Sequence, residues 1–155
     1  MSKTNAMRIL ESAGIDYTAH SYDVDEEDLT GITVANKIGA EPESVFKTLV
    51  TTGDKTGTTI FCIPVTSELS LKKAAAVSGN KKIEMIKMKD LQPLTGYIRG
   101  GCSPVGMKKQ FPTFIDETAV LYDLICVSAG VRGTQIKVSP EKLAAVTGAV
   151  FAEIS

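Results

Sequence analysis

The stretch FKTLVTTGDKTGTTIFCIPV, residues 46–65, decides the fold expected for this chain. Its first part, Phe46–Thr52, and its last part, Thr58–Val65, are rich in β-branched and aromatic residues, which favour strands. The segment between them, Gly53–Gly57, has a glycine at each end and polar residues inside, which is typical of a turn. We therefore predict a β-hairpin over these residues.

Helices and further strands are predicted on both sides of the hairpin. Capping residues and apolar periodicity indicate helices at 4–13, at Thr33–Ile38, near Pro42, at Ser70–Val77 and from Ser139 to Gly148. Runs of β-branched and apolar residues indicate strands at Ile15–Tyr22, Ile83–Ile86, Tyr97–Arg99, Thr113–Ile115, Leu121–Ser128, Thr134–Val138 and Val150–Ile154. The expected fold class is α+β, a single mixed sheet of about six or seven strands flanked by short helices. Residues 1–155 are expected to form one domain, since no linker or repeat interrupts them.

The composition is that of an ordinary globular protein. Hydrophobic residues fill 43% of the 155 positions and charged residues 23%, and disordered chains are much poorer in apolar residues. The sequence contains no run of about 18 apolar residues, the length that could span a membrane. Its N-terminal residues also lack the apolar core of a secretion signal. The three cysteines, Cys62, Cys102 and Cys126, are odd in number and widely spaced, which argues against a disulfide framework. We expect a cytoplasmic protein with no membrane partner.

The net charge of −1 hides a strong asymmetry along the chain. Residues 1–46 carry three basic and nine acidic side chains, whereas residues 72–109 carry nine basic and two acidic ones. Such a split can make one face attractive to a polyanion while the isoelectric point stays near neutral. Two solvated lysine-rich segments would produce the same numbers, so charge alone leaves both interpretations open.

Lys47 is the first candidate for a functional side chain. It lies in VFKTLV, residues 45–50, where a strand would put it on one face with Leu49 and opposite Phe46 and Thr48. A lysine beside apolar neighbours is costly to bury unless it is paired or used. An edge-strand lysine, or one that keeps its ammonium group in water, would show the same pattern. The residues alone favour this second interpretation.

The segment GGCSPVG, Gly100–Gly106, is the second candidate. Its glycines allow the backbone to approach a ligand and expose N–H groups, and Pro104 stiffens the turn. Lys108 and Lys109 follow it and would suit a phosphate-bearing partner, although a plain tight connection explains the pattern equally well. It matches neither a Walker A loop nor a dinucleotide-binding fingerprint.

Cys102 lies inside this segment and is weighed as a nucleophile. No histidine or acid near it in sequence would activate the thiol. His20 is the one histidine of the chain, so a Ser–His–Asp triad would have to use it, and no ligand spacing indicates a zinc site. We therefore expect neither a metal nor a catalytic thiol.

Ser128 and Tyr22 are weaker candidates. Ser128 lies in VSAGVRG, where a predicted strand enters a glycine turn, which is a common place for a hydroxyl that contacts a ligand. A turn cap would look the same. Tyr22 and His20 lie two residues apart on a predicted strand, and either could border a pocket or pack in the core.

Four motifs together resemble one family. HSYD at 20–23, VFKTLV at 45–50, YIRGGCSPVGMKK at 97–109 and VSAGVRG at 127–133 are similar to the YbaK/EbsC family of editing proteins, which includes the insertion domain of bacterial prolyl-tRNA synthetase. The resemblance covers about Lys3 to Ile154. It implies a partly barrel-like sheet and an aminoacyl-tRNA deacylase, most similar to the branch that removes cysteine mischarged onto proline tRNA.

The resemblance also implies roles for particular residues. Lys47 would be the essential lysine and would contact the 3′-terminal nucleotide or the ester. The substrate-binding residues would be Tyr22, Phe46, Thr48, Gly100, Gly101, Cys102, Ser103, Pro104 and Ser128. The tRNA-binding lysines would be Lys72, Lys73, Lys81, Lys82, Lys108 and Lys109.

The mechanism implied by the family needs no cofactor. The protein holds the ester while the thiol of the substrate cysteine attacks its own carbonyl group, with prolyl-tRNA synthetase as a possible partner in a ternary complex. Gln135 departs from the pattern, because a neutral side chain stands where an acid is expected, and a general base there becomes doubtful. Attack by water, a substrate such as Ala-tRNA(Pro) and a non-catalytic tRNA- or synthetase-binding module stay open as alternatives.

Overall fold

Two β-sheets and five α-helices make up the part of the chain that the computed structural model describes, residues 3–155. The helices are α1 (Asn5–Ser12), α2 (Gly31–Ile38), α3 (Leu71–Ser78), α4 (Leu91–Thr95) and α5 (Pro140–Thr147). The strands are β1 (Tyr17–Ser21), β2 (Phe46–Gly53), β3 (Gly57–Pro64), β4 (Ile83–Met85), β5 (Thr113–Asp116), β6 (Ile125–Ser128), β7 (Thr134–Val138) and β8 (Val150–Ala152). Short 3₁₀ turns occupy Pro42–Ser44, Met88–Asp90 and Glu117–Leu121. The α+β class is confirmed.

The predicted hairpin is confirmed as the centre of the larger sheet. β2 and β3 pair antiparallel in register from Phe46 opposite Pro64 to Gly53 opposite Gly57. Gly57 has a φ of +67°, a backbone conformation that glycine adopts without strain. The sheet order is β4-β2-β3-β5-β8, with β5 parallel to β3 and β8 parallel to β5.

The prediction of a single sheet is wrong, because the strands divide into two. β1, β7 and β6 form a separate antiparallel sheet in that order. It meets the larger sheet through one isolated parallel bridge, between Val45 and Cys126. β6 ends at Ser128, whereas β2 continues to Gly53 and pairs with β4 through Thr51–Gly53. The two sheets are therefore not joined by a continuous ladder of hydrogen bonds between β2 and β6. Alternation in a sequence reveals the faces of a strand but not its neighbours.

Helix ends follow the predicted chemistry with one correction. The side chains of Ser70 and Ser139 accept hydrogen bonds from backbone N–H groups in the first turns of α3 and α5, as N-caps do. The predicted cap at Thr33 is wrong, because α2 begins at Gly31 with Thr30 as its N-cap. The carboxylate of Asp28 accepts hydrogen bonds from the hydroxyls of both threonines and fixes this earlier start.

Two predicted strands are also corrected. Tyr97–Arg99 forms no strand: after α4 the chain is irregular, and a turn over Ile98–Gly101 closes with a 3.0 Å hydrogen bond from the Gly101 amide to the Ile98 carbonyl. β6 begins at Ile125 and not at Leu121, since Glu117–Leu121 forms a 3₁₀ turn. In both places the local apolar run lacks a strand partner, and the pairing of backbone groups decides the conformation.

The core lies on both faces of β2 and β3. Phe46, Val50 and Cys62 face the largest cluster, which fills the space between the sheets, α1 and α5. Phe61 and Ile63 face α3 on the other side. Each fully buried side chain of this size contributes about 1.5–3 kcal/mol to stability. No helix within residues 3–155 combines the length and the apolar composition needed to cross a bilayer.

Candidate active site

The bridge between the two sheets aligns polar side chains from four strands. Val45 and Cys126 are paired in parallel, so Lys47 and Ser128, two residues further along each strand, lie on the same face. Ser128 pairs with Gln135, and Gln135 pairs with His20. We call Lys47, Ser128, Gln135 and His20 the junction row. Beyond this bridge no further strand pairing joins β2 to β6 within residues 3–155.

Lys47 is half-buried. It pairs with Ile63 across the hairpin and shares its face with Leu49. Its ammonium group makes no salt bridge among the residues that the structure describes. A partly buried cation without an acidic partner is available to bind an anionic or carbonyl oxygen.

Ser128 has one of its two hydrogen-bonding roles filled. Its hydroxyl oxygen accepts a 3.1 Å hydrogen bond from the backbone N–H of Gly130, so the serine caps the turn after β6. The hydroxyl proton is left to donate to a ligand. The structural role and the ligand-binding role predicted for this serine are therefore compatible.

Arg132 fixes the glycine loop to that same turn. Its Nε atom donates a 2.7 Å hydrogen bond to the Arg99 carbonyl. A Cβ at Gly100 would lie 3.2 Å from that Nε atom, and one at Gly101 would lie 3.1 Å from the backbone of Val131 and Arg132. Sequence reasoning missed this arginine. In the sequence, its signal is a long, positively charged side chain between the two glycines of a predicted turn, Gly130 and Gly133.

The interior of the loop is structural. Ser103 is fully buried, and its hydroxyl accepts a hydrogen bond from the Val105 amide, while the Tyr97 hydroxyl donates to the Val105 carbonyl. Burial raises the pKa of the Cys102 thiol to about 12, with a further contribution from nearby Cys62. The thiol is therefore protonated near neutral pH, which is the wrong form for a nucleophile.

Two expected substrate contacts point away from the junction row. Phe46 is only 2% exposed and belongs to the core between the sheets. Thr48 shares its face and lies with its Oγ1 3.8 Å from the Cys62 sulfur. The structure therefore places both on the face of β2 opposite Lys47.

Tyr22 and the acidic segment 23–28 lie along the other edge of the site. The Tyr22 amide donates a 2.9 Å hydrogen bond to the Gly133 carbonyl, which extends the β1–β7 ladder and puts the ring on the face of His20. Val24 of this segment lies beside Gly133, and Leu29, the residue that follows the segment, lies beside Gly100. The glycine loop and the acidic segment thus both lie against the turn after β6.

The six predicted tRNA-binding lysines fall into two groups. Lys72 and Lys73 lie on α3 and Lys81 and Lys82 follow it, and Lys73 and Lys82 form salt bridges of 2.8 and 2.7 Å with Glu153 and Glu84. A groove of about 460 Å³ between α3 and β4 is lined by Lys72, Lys81 and Lys82, among others. Lys108 and Lys109 follow the glycine loop and are exposed. No three His, Cys, Asp or Glu side chains within residues 3–155 come together to hold a metal ion.

This fold and site define a class of α+β protein in which two sheets meet at a row of polar side chains that includes a half-buried lysine and a serine hydroxyl, with a glycine-rich loop held against the turn after that serine. A family model described as the aminoacyl-tRNA editing domain matches residues 27–146. The chain therefore belongs to the aminoacyl-tRNA editing family.

Known relatives agree with this membership. A protein of Enterococcus faecalis (strain ATCC 700802 / V583), provisionally described as the Cys-tRNA(Pro)/Cys-tRNA(Cys) deacylase EbsC, is 52% identical over 153 residues, which are 99% of this chain and 93% of that protein. A crystal structure provisionally described as a trans-editing enzyme for prolyl tRNA synthetase matches with a TM-score of 0.82 and 26% identity, over 99% of each chain. The hypothetical protein APE2540 shares the fold, with a TM-score of 0.85 and 20% identity over 95% of this chain and 96% of its own.

Proposed function

We propose that this protein is a trans-editing deacylase that cleaves the aminoacyl ester of Cys-tRNA(Pro) and of Cys-tRNA(Cys). The observation that carries the proposal is the half-buried Lys47, which shares a face with Ser128 and forms no salt bridge within residues 3–155, in a chain of the editing family. The 52% identical relative with that provisional description supports the choice of cysteine.

The chemistry asks little of the protein. An aminoacyl ester is already activated, so orientation and donors aimed at the developing oxyanion supply most of the rate. The substrate thiol gives up its proton, its sulfur bonds to the ester carbonyl carbon, and the bond from that carbon to the ribose oxygen breaks. The ribose oxygen takes the proton, which leaves intact tRNA and a thiolactone that water opens to cysteine.

The loop and Lys47 are suited to hold the carbonyl oxygen in this reaction. The Gly101 amide is engaged with the Ile98 carbonyl. The amides of Gly100 and Cys102 donate to no group among residues 3–155, so they can donate to an oxyanion. Lys47 adds a cationic donor, and the Ser128 proton adds a neutral one.

The lysine groups and a synthetase would supply the tRNA contacts. Lysines bind phosphates without reading sequence. We therefore propose that prolyl-tRNA synthetase confers the choice of tRNA in a ternary complex in the cytoplasm.

The test is deacylation of cysteinyl-, alanyl- and seryl-tRNA by the wild type, Lys47→Ala and the control Lys55→Ala, whose lysine is exposed in the hairpin turn. We expect rapid cleavage of cysteinyl-tRNA, a loss of about 100-fold or more in Lys47→Ala and wild-type rates in the control. Equal rates with seryl-tRNA would exclude the thiol mechanism, and preferred cleavage of alanyl-tRNA would identify an alanine deacylase. A chain that binds tRNA and cleaves none of the three would be a binding module.

A further inference from the structure

We infer that Gln135 is a specificity-determining residue of this site and that its side-chain oxygen accepts a hydrogen bond from the α-ammonium group of the aminoacyl moiety. The inference rests on the proposed function and deepens it. Its starting point is one atom. The Oε1 atom of Gln135 is the one buried side-chain nitrogen or oxygen in residues 3–155 with no hydrogen-bond partner.

An orphaned acceptor in this position is unusual. Gln135 is only 6% exposed, and buried polar groups nearly always find a partner. The rest of the fold satisfies its buried side-chain groups, which points to a group supplied from outside.

The strand register puts this acceptor in the substrate's path. Gln135 pairs with Ser128 on β6 and lies on the face of Lys47 on β2. Ser128 stands between Lys47 and Gln135 in the row, and the three side chains share one face. An aminoacyl ester has its carbonyl oxygen and its α-nitrogen on neighbouring carbons, so neighbouring members of the row can bind both.

The polarity of the row matches that of the substrate. Lys47 and Ser128 are donors and suit the carbonyl oxygen, whereas the Gln135 oxygen is an acceptor and suits the α-ammonium group, a charged donor. The acidic segment supports this orientation. It carries Asp23, Asp25, Glu26, Glu27 and Asp28, and Val24 brings it against Gly133, two residues before Gln135. Negative charge at this end of the row favours a bound cation.

The experiment removes the α-ammonium group and the acceptor separately. The probes are the tRNA esters of cysteine and of 3-mercaptopropionate, which keeps the thiol and lacks only the amine. The wild type should cleave the cysteine ester roughly 10- to 100-fold faster in kcat/KM, the range of a hydrogen bond to a charged group. Gln135→Leu should lose most of that preference, because only its kcat/KM for the cysteine ester should fall. The control Gln92→Leu, at an exposed position of α4, should keep it.

Two further measurements do not require the protein to cleave either ester. Amide-linked analogues, 3′-amino-3′-deoxyadenosine carrying cysteine or 3-mercaptopropionate, should show the same preference in binding, lost again in Gln135→Leu. The leucine variant should also unfold at an unchanged or higher denaturant concentration, because it removes an unpaired buried oxygen. A preference equal in wild type and Gln135→Leu, in either assay, overturns the inference. A wild type that binds with this preference and cleaves neither ester supports Gln135 while refuting the deacylase.

Discussion

At the scale of single residues, glycines govern how closely the loop and the turn after β6 can approach. Gly100 has a φ of +84°, and a Cβ there would lie 3.2 Å from the Arg132 Nε atom. Gly57 in the hairpin turn has a similar φ of +67° with no atom within 4 Å of the added carbon. The two positions therefore separate the cost of backbone strain from the cost of a contact.

We predict that Gly57→Ala and Gly100→Ala both lose about 1–2 kcal/mol of stability, because each forces an alanine into a left-handed conformation. Only Gly100→Ala should also lose deacylase activity, roughly 10-fold or more, because the displaced arginine frees the loop from the turn after β6. Urea unfolding and cysteinyl-tRNA cleavage measure the two effects. Equal activity in the two variants would show that Arg132 does not position the loop.

The candidate site was only partly predictable from its residues. Lys47, Ser128 and the loop could be singled out by composition, since a lysine among apolar residues and clustered glycines are visible locally. Their alignment depends on the Val45–Cys126 bridge, and no local pattern encodes which residue of one strand meets which residue of another. In sequence Gln135 is a departure from the family pattern, and only the folded structure shows that its side-chain oxygen lacks a partner.

At the scale of elements, one carboxylate ties the end of the chain to the larger sheet. Asp116, the last residue of β5, accepts hydrogen bonds from the Thr118 hydroxyl at 2.6 Å and from the Ile154 and Ser155 amides at 3.1 Å each. Burial alone would raise the pKa of Asp116, but these hydrogen bonds outweigh it and hold the pKa below the ordinary value of 3.8. Folding therefore favours the ionised carboxylate.

Asp116→Asn should destabilise the protein by about 1–3 kcal/mol at pH 7. Because the folded-state pKa is lowered, the stabilisation by the carboxylate is complete above the unfolded value of about 3.9 and is lost as the pH falls through the lower folded value. The gap between wild type and variant should thus be full at pH 6 and shrink below about pH 4. Urea unfolding at several pH values measures it, and a gap that is constant down to pH 2 would contradict the assignment.

The elements themselves were predicted best where the signal is local. The hairpin is confirmed, as is the start of α5 at Ser139–Pro140, because turn glycines and caps act within a few residues. The strand predicted at Tyr97–Arg99 is wrong, because a short apolar run becomes a strand only when another strand pairs with it. The division into two sheets could not be predicted for the same reason. Which strands pair with β6 depends on the arrangement of all the strands and not on the sequence of β6 itself.

At the scale of the whole molecule, the lysines of residues 72–109 are not equivalent. Lys73 and Lys82 are held by Glu153 and Glu84. Lys72 and Lys81 line the groove between α3 and β4 and form no salt bridge within residues 3–155. α3 covers the face of β2 and β3 that also carries Lys47 and Ile63, so Lys72 and Lys81 lie on the same side of the larger sheet as Lys47.

We predict that the double variant Lys72→Ala/Lys81→Ala weakens tRNA binding and reduces its dependence on salt. Each lost phosphate contact should lower the slope of log K against log salt concentration by about 0.7–0.9, hence by up to roughly 1.8 for the pair. The matched control is Lys55→Ala, which removes one positive charge from the exposed hairpin turn and should change the slope little. Titrations of uncharged tRNA at several salt concentrations provide the slopes. Slopes equal in the wild type and the double variant would mean that α3 presents a solvated face and that the tRNA approaches Lys47 from the side of Lys108 and Lys109.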